Sequence, residues 1–204
     1  MKVYLKSKLS RRTKDRILEV LYFPFVLRDL LFCVFFGLEY SRGMRLRGLP
    51  KVQMYDRRSI KFGDNFTAVS NWKYNSIGLI QPVILKTVRP AAKIHIGNNV
   101  GISGCTISAS ECITIGDNVL IGSGCLLTDS DAHPIHPDNR DLASEIGIAP
   151  VVVEDDVFIG ARSIILKGVK IGKGTVVGAG SVVSRSLPSM VVAAGNPAKI
   201  IKSI

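Results

Sequence analysis

The sequence is poor in the residues that usually announce chemistry or a special environment. Its 204 residues include three histidines, one tryptophan and four cysteines. Cys33, Cys105, Cys112 and Cys125 are scattered and form no CxxC pair. That excludes a disulfide framework and leaves reduced, mostly buried thiols as the ordinary reading. No apolar run reaches the roughly 18–20 residues needed to cross a bilayer. No small-residue cleavage site follows the first apolar stretch, so a signal peptide is not expected. There is no P-loop pattern, so ATP chemistry is not indicated. The 19 glycines show no three-residue period, which excludes collagen. Acidic residues are few as well, 16 against 27 Lys and Arg, leaving a net charge of +11. With 47% hydrophobic and 21% charged residues the chain is globular in composition, and its length fits one domain or one domain with an appendage.

The positive excess is confined to one end. Residues 1–61 hold 15 basic and 5 acidic side chains, whereas residues 62–204 hold 12 and 11. Within residues 1–59, read as a basic, amphipathic helical segment, a basic run over residues 2–16 precedes two apolar blocks. These are Ile17–Leu27 and Leu30–Leu38, separated by Arg28-Asp29 and interrupted by Pro24. At helical spacing Leu18, Leu21, Tyr22, Phe25 and Val26 share a face, as do Leu31, Val34, Phe35 and Leu38. Two readings stand. One is an interfacial element lying on anionic lipid; the other is a helical hairpin docked on the rest of the chain, its basic residues solvated. Nucleic acid is not expected, because no finger, basic zipper or RNA-binding signature accompanies the charge.

Beyond this segment the chain is dominated by a repeat. Val153, Ile159, Ile165, Ile171, Val177 and Val183 recur every six residues, usually followed by a small or polar residue. Six residues rotate an α-helix by about 600°, which is not a whole number of turns. A short strand and a tight turn per hexad do fit, three hexads making one triangular coil with aliphatic residues stacked inside. Ile96-Gly97-Asn98-Asn99-Val100 and Ile115-Gly116-Asp117-Asn118-Val119 repeat the pattern, and Phe62-Gly63-Asp64-Asn65-Phe66 marks a weaker first coil. The repeat domain is placed at 60–204, with a tail over 188–204.

The hexads stop for about 25 residues, over 128–152. A polar insertion of that length in a regular solenoid must loop out, and such loops are often functional. It carries His133 and His136, two of the three histidines.

These hexads resemble the hexapeptide-repeat family of left-handed parallel β-helix proteins, most of which are acyltransferases; others are γ-class carbonic anhydrases or non-catalytic scaffolds. The fold class expected is therefore mainly β, a left-handed parallel β-helix. Within the family, His133-Pro134-Ile135-His136, Arg140, Glu145 and Pro150 resemble the galactoside/maltose O-acetyltransferase branch. Asp129-Ser130-Asp131-Ala132-His133-Pro134 and Val100-Gly101-Ile102-Ser103-Gly104 resemble polysaccharide-modifying members. The resemblance implies His133 as general base, with Glu145 orienting its ring. A neutral imidazole can take the proton of a sugar hydroxyl as it attacks a thioester, and a carboxylate on the other ring nitrogen stabilises the imidazolium.

Acetyl-CoA is the donor so implied. Phe158 stands where the family has an aromatic lining the cleft, and Ala161 where a backbone N–H faces the thioester carbonyl. Gly178-Ala179-Gly180 and Ser184 match the path of the pantetheine arm, and Lys199 and Lys202 the basic residues that meet the nucleotide phosphates. Asp131 is the candidate acceptor contact. The acceptor-binding helical domain of the galactoside enzymes has no counterpart in residues 1–61. A homotrimer with active sites between subunits, a sugar or glycan acceptor of the cell envelope and a cytoplasmic location follow as expectations. No metal is expected: a zinc lyase would need His95, His133 and His136 together. An N-acetyltransferase on an amino-sugar nucleotide and a non-catalytic scaffold remain the alternatives.

Overall fold

The structure, a computed structural model, describes residues 11–204, with side chains from residue 23 onward. The whole basic run over residues 2–16, and the Leu18, Leu21 and Tyr22 part of the first helical face, lie outside those described side chains. From residue 45 the chain winds as a triangular parallel β-helix, consistent with the left-handed form, so the expected fold class holds.

The first five coils each contribute one strand to each of three sheets; the sixth adds strands to two sides and the seventh to one. Side A stacks Arg45–Arg47, Thr67–Val69, Gly101–Ser103, Leu120–Ile121, Phe158–Ile159, Val176–Val177 and Val191–Gly195, closed by Ala198–Ser203. Side B stacks Lys51–Gln53, Ile84–Thr87, Thr106–Ala109, Leu126–Thr128, Ile164–Ile165 and Val182–Val183. Side C stacks Ile60–Phe62, Lys93–Ile96, Cys112–Ile115, Val151–Val153 and Lys170–Ile171. All pairings are parallel except the last on side A, where Ala198–Ser203 runs antiparallel to Val191–Gly195. The first coil begins at Arg45, ahead of the boundary expected at residue 60. Its first two strands carry only Leu46 and Val52 facing inward among Arg, Lys and Gln, so no hexad signal marks them.

Inside, aliphatic residues stack rung on rung. Ala68, Ile102, Ile121, Ile159, Val177 and Ala193 form the inward column of side A, all buried. Every aliphatic residue of the six-residue series from Val153 to Val183 is buried. Burial of such a column is the main favourable term for the fold, since each buried aliphatic side chain contributes about 1.5–3 kcal/mol.

One corner is stitched by amides. Asn65, Asn99, Asn118 and Asp156 each adopt a left-handed backbone at the corner between sides C and A, with φ of 60°, 56°, 59° and 60°. Asn and Asp tolerate that conformation better than other side chains. Asn65 donates to Asn99 at 2.9 Å, Asn99 to Asn118 at 3.0 Å and Asn118 to Asp156 at 3.0 Å. Beside this ladder, Asn98 accepts from the Asp64 N–H, Asp117 from the Asn98 N–H and Asp155 from the Asp117 N–H. The repeated Gly-Asp/Asn-Asn triplet of the sequence is thus a corner device. Hydrogen bonding from Asn98 holds the Asp117 carboxyl below its usual range.

Helix α1, Arg11–Phe36, caps the first coil. It is one helix running through Pro24, not a hairpin, and Pro24 costs it a single N–H···O bond. The Arg28-Asp29 pair that divides the apolar blocks is the docking pin. Asp29 is buried and accepts the Leu46 N–H at 2.9 Å, while Arg28 pairs with Asp29 and donates to the Leu46 carbonyl. Phe32 and Cys33 pack with Leu38, Met44 and Leu46. Burial and the nearby Asp29 push the Cys33 thiol up to about 11. The face expected from Leu31, Val34 and Phe35 points away from the solenoid. Among the described residues no helix is long and apolar enough to cross a membrane.

Candidate active site

Two excursions leave the coils. One is the polar loop at the corner between sides B and C, running from the Thr128 strand end to Val151. Asp129 anchors its start: the buried carboxylate accepts the N–H groups of Ser110, Glu111 and Cys112 at 2.6, 2.8 and 2.8 Å. Further along, Arg89, two coils earlier, donates to the Ala143 carbonyl at 2.8 Å and holds down the short 3-10 turn Ala143–Glu145. The loop therefore folds back along the corner toward the helix-capped end.

Within it, His133 and Glu145 are both exposed, and no hydrogen bond or ion pair joins them among the described residues. His136 caps the 3-10 turn Pro137–Asn139, its Nδ1 accepting from the Asp138 N–H at 3.3 Å. That gives His136 a local structural role and leaves the His133 ring uncommitted. Asp131 forms an ion pair with Lys167 at 2.9 Å, while its second oxygen is buried with no partner among the described residues. A carboxylate oxygen buried without a partner carries a desolvation cost that a hydroxyl reaching it after a local shift of the loop would relieve.

The second excursion, residues 70–82 at the corner between sides A and B, is absent from the sequence reading. It contains the 3-10 turn Trp72–Tyr74, then runs along the corner toward the C-terminal coils. Ser123 donates to the Gly78 carbonyl at 2.9 Å and fixes it there. Between it and the coils lies an open groove of about 540 Å³, lined by Ile77 to Ile80 on one side and by Ser123, Ala161, Arg162, Ala179 and Gly180 on the other. Two of the expected donor-site residues, Ala161 and Ala179, thus line one groove.

The packing explains why small residues are needed there. A Cβ at Gly122 would lie 2.5 Å from the Ala161 nitrogen, and one at Gly160 would lie 2.5 Å from the Ala179 nitrogen. The Ala161 carbonyl accepts from Gly180 at 2.8 Å, and the Ala161 N–H has no backbone partner among the described residues. Arg162 has φ of +61° at a corner position where neighbouring coils have Gly104, Gly124 and Gly180. This cation in the groove was not singled out from sequence; an Arg standing where the hexad corner favours glycine was its signal.

The register gathers most of the remaining donor candidates on the same side. Gly101, Leu120, Phe158, Val176, Val192 and Lys202 form the outward column of side A. Phe158 is 46% exposed on it. Lys199 pairs with Ala194, at the end of the corner that carries Ala161 and Ala179. Ser184 does not join them. It follows the side B strand Val182–Val183 and sits at the corner of the His133 loop, because consecutive hexads occupy consecutive sides. The candidates therefore fall into two groups, separated by one face of roughly five residues, about 16 Å.

His95 faces outward on side C; burial and the charges of Lys61 and Lys93 lower its pKa. Among the described residues no three His, Cys, Asp or Glu side chains are grouped to hold a metal.

The profile of the "hexapeptide repeat of succinyl-transferase" matches residues 112–128 and 150–185. The chain is 40% identical over 114 residues to the galactoside O-acetyltransferase of Escherichia coli K12, which covers 55% of each protein. It is 44% identical over 89 residues to a 2,3,4,5-tetrahydropyridine-2,6-dicarboxylate N-acetyltransferase of Staphylococcus aureus, covering 44% of this chain and 32% of that one. The chain thus spans about half or less of the length of these curated relatives. Among solved structures it is similar to a hexapeptide-repeat acetyltransferase of Vibrio cholerae complexed with acetyl coenzyme A. That match has a TM-score of 0.55 and 26% identity, over 86% of this chain and 75% of that one.

Proposed function

We propose that this chain belongs to the hexapeptide-repeat family and that within it the protein is an acetyl-CoA-dependent O-acetyltransferase acting on a sugar hydroxyl in envelope glycan synthesis. The observation that carries the reading is the groove in which Ala161 and Ala179 meet with an unpartnered backbone N–H. A thioester carbonyl held there receives a fixed donor aimed at the charge of the tetrahedral intermediate. Phe158 walls the cleft, and Lys199 and Lys202 supply point charges for the nucleotide phosphates.

His133 takes the proton of the attacking hydroxyl and returns it to the departing thiolate of coenzyme A. Glu145 orients the ring once the acceptor is seated, since catalytic hydrogen bonds often tighten only in the complex. Asp131 holds the acceptor through its unpartnered oxygen. Ser184 lies beside this acceptor-side group and meets the donor only across a subunit boundary.

A cleft split between two corners of one triangle is completed by a second copy. The His133 corner of one subunit faces the Ala161 corner of its neighbour, and a cyclic trimer closes that arrangement three times. Similarity to a dicarboxylate N-acetyltransferase supports a second reading, an amine acceptor. Steady-state turnover of acetyl-CoA with panels of hydroxyl and amino sugars separates the two. Turnover on hydroxyl sugars that vanishes in His133→Ala is expected. Full turnover in that variant removes His133 from the mechanism, and turnover confined to amino sugars replaces the O-transfer reading.

A further inference from the structure

Among the described residues nothing covers the outward face of α1. Phe23, Leu27, Leu30, Leu31, Val34 and Phe35 are exposed, Val34 and Phe35 at 66% and 82%, and no charged side chain interrupts them. From Phe23 to Phe36 the only charges are Arg28 and Asp29, and these are spent on Leu46. A helix that is apolar all round needs a second apolar surface on the side its own domain leaves bare. At the C-terminal end of this face lies a cavity of about 450 Å³, lined by Val34, Gly37, Leu38, Glu39, Arg57 and Arg58. Neither arginine makes a hydrogen bond or ion pair among the described residues.

We propose that this end of the solenoid lies on an anionic phospholipid surface, the apolar face of α1 sunk among the acyl chains and a lipid phosphate seated between Arg57 and Arg58. Charge selects lipid over a second copy of the chain. Residues 1–61 carry 15 basic and 5 acidic side chains, so two such ends brought together repel, whereas an anionic bilayer attracts them. The apolar face selects lipid over an acidic peptide or nucleic acid, neither of which offers an acyl interior. With no spanning helix among the described residues, the attachment is peripheral.

The test is co-sedimentation of the full-length protein with vesicles of phosphatidylcholine alone or mixed with phosphatidylglycerol, a readout independent of acetyl transfer. Binding to the mixed vesicles that falls as salt rises is expected. Val34→Glu with Phe35→Glu weakens binding by roughly tenfold or more, and Arg57→Gln with Arg58→Gln lowers the preference for the anionic lipid. Both pairs are surface changes, checked for fold by circular dichroism. Wild-type protein that ignores both vesicle types overturns the proposal whatever the variants do. So does a Val34→Glu, Phe35→Glu protein that binds like wild type, and so does one whose only change is a smaller oligomer, which assigns the face to contact between copies.

Discussion

Residues 70–82 leave the second coil and residues 129–150 the fourth, at neighbouring corners, and they run in opposite directions along the axis. The first is apolar where it meets the coils, through Ile77, Leu79 and Ile80, and it makes a groove against backbone. The second is polar and carries His133, Asp131 and Glu145. One corner offers shape and an unpartnered N–H; the other offers titratable groups. On the proposed reading neither is a reaction site alone, and a second subunit is what closes the flat side between them. A solenoid can divide labour in this way because its coils hold each corner straight over many rungs, so that an insertion at one rung reaches several others.

The sharpest way to break this comparison is to disable the corners in separate chains. His133→Ala is expected to lower turnover by about 10²–10⁴-fold, and Ala179→Trp to block the groove. Co-expressed, the two inactive chains recover part of the wild-type rate in mixed oligomers, as measured in a purified doubly tagged assembly. No recovery places both halves within one subunit. Smaller in effect, Ala179→Leu narrows the groove and raises the KM for acetyl-CoA by roughly tenfold while sparing kcat. An equal loss in the two parameters would put Ala179 in the chemistry instead.

Asp129 tests whether the polar loop has its own anchor. Asp129→Ala leaves three backbone N–H groups without their acceptor and costs about 3 kcal/mol in urea unfolding; a loss under about 0.5 kcal/mol would show that water replaces it. The smallest effect belongs to the amide corner, far from either excursion. Asn118→Ala is expected to cost about 1–2 kcal/mol and Asn118→Gly less, because glycine keeps the left-handed backbone while breaking the ladder. Equal costs would assign the whole effect to the hydrogen bonds. Turnover is unchanged in both.

The hexads were legible because their period is enforced by a physical column: each aliphatic position from Val153 to Val183 falls on the axis side of a strand. The polar loop was legible for the complementary reason, a break in that period. The groove-forming excursion was not. Ile77, Leu79 and Ile80 look like further hexad residues, and only the missing register between Val69 and Ile84, with the lone Trp72 inside it, marks the gap. Separation of Ser184 from Ala179 was readable in principle, since positions about one hexad apart sit on successive corners. The first coil was hidden because α1 supplies its neighbour: a strand paired to a helix by Arg28 and Asp29 needs no repeat on that side.

That last pairing has a consequence for the chain in solution. A parallel stack exposes strand edges at its ends, and an uncovered edge is a template for adding another chain. By occupying the Leu46 N–H and carbonyl with a carboxylate and a guanidinium, the helix withholds from the first rung the groups that an incoming strand would need. The reversed strand Ala198–Ser203 does the same at the other end of that sheet, by running against the direction of growth. The pair of side chains that reads in sequence as a gap in an apolar helix thus acts as a terminator, and it keeps a repeat that could in principle continue without limit from polymerising end to end.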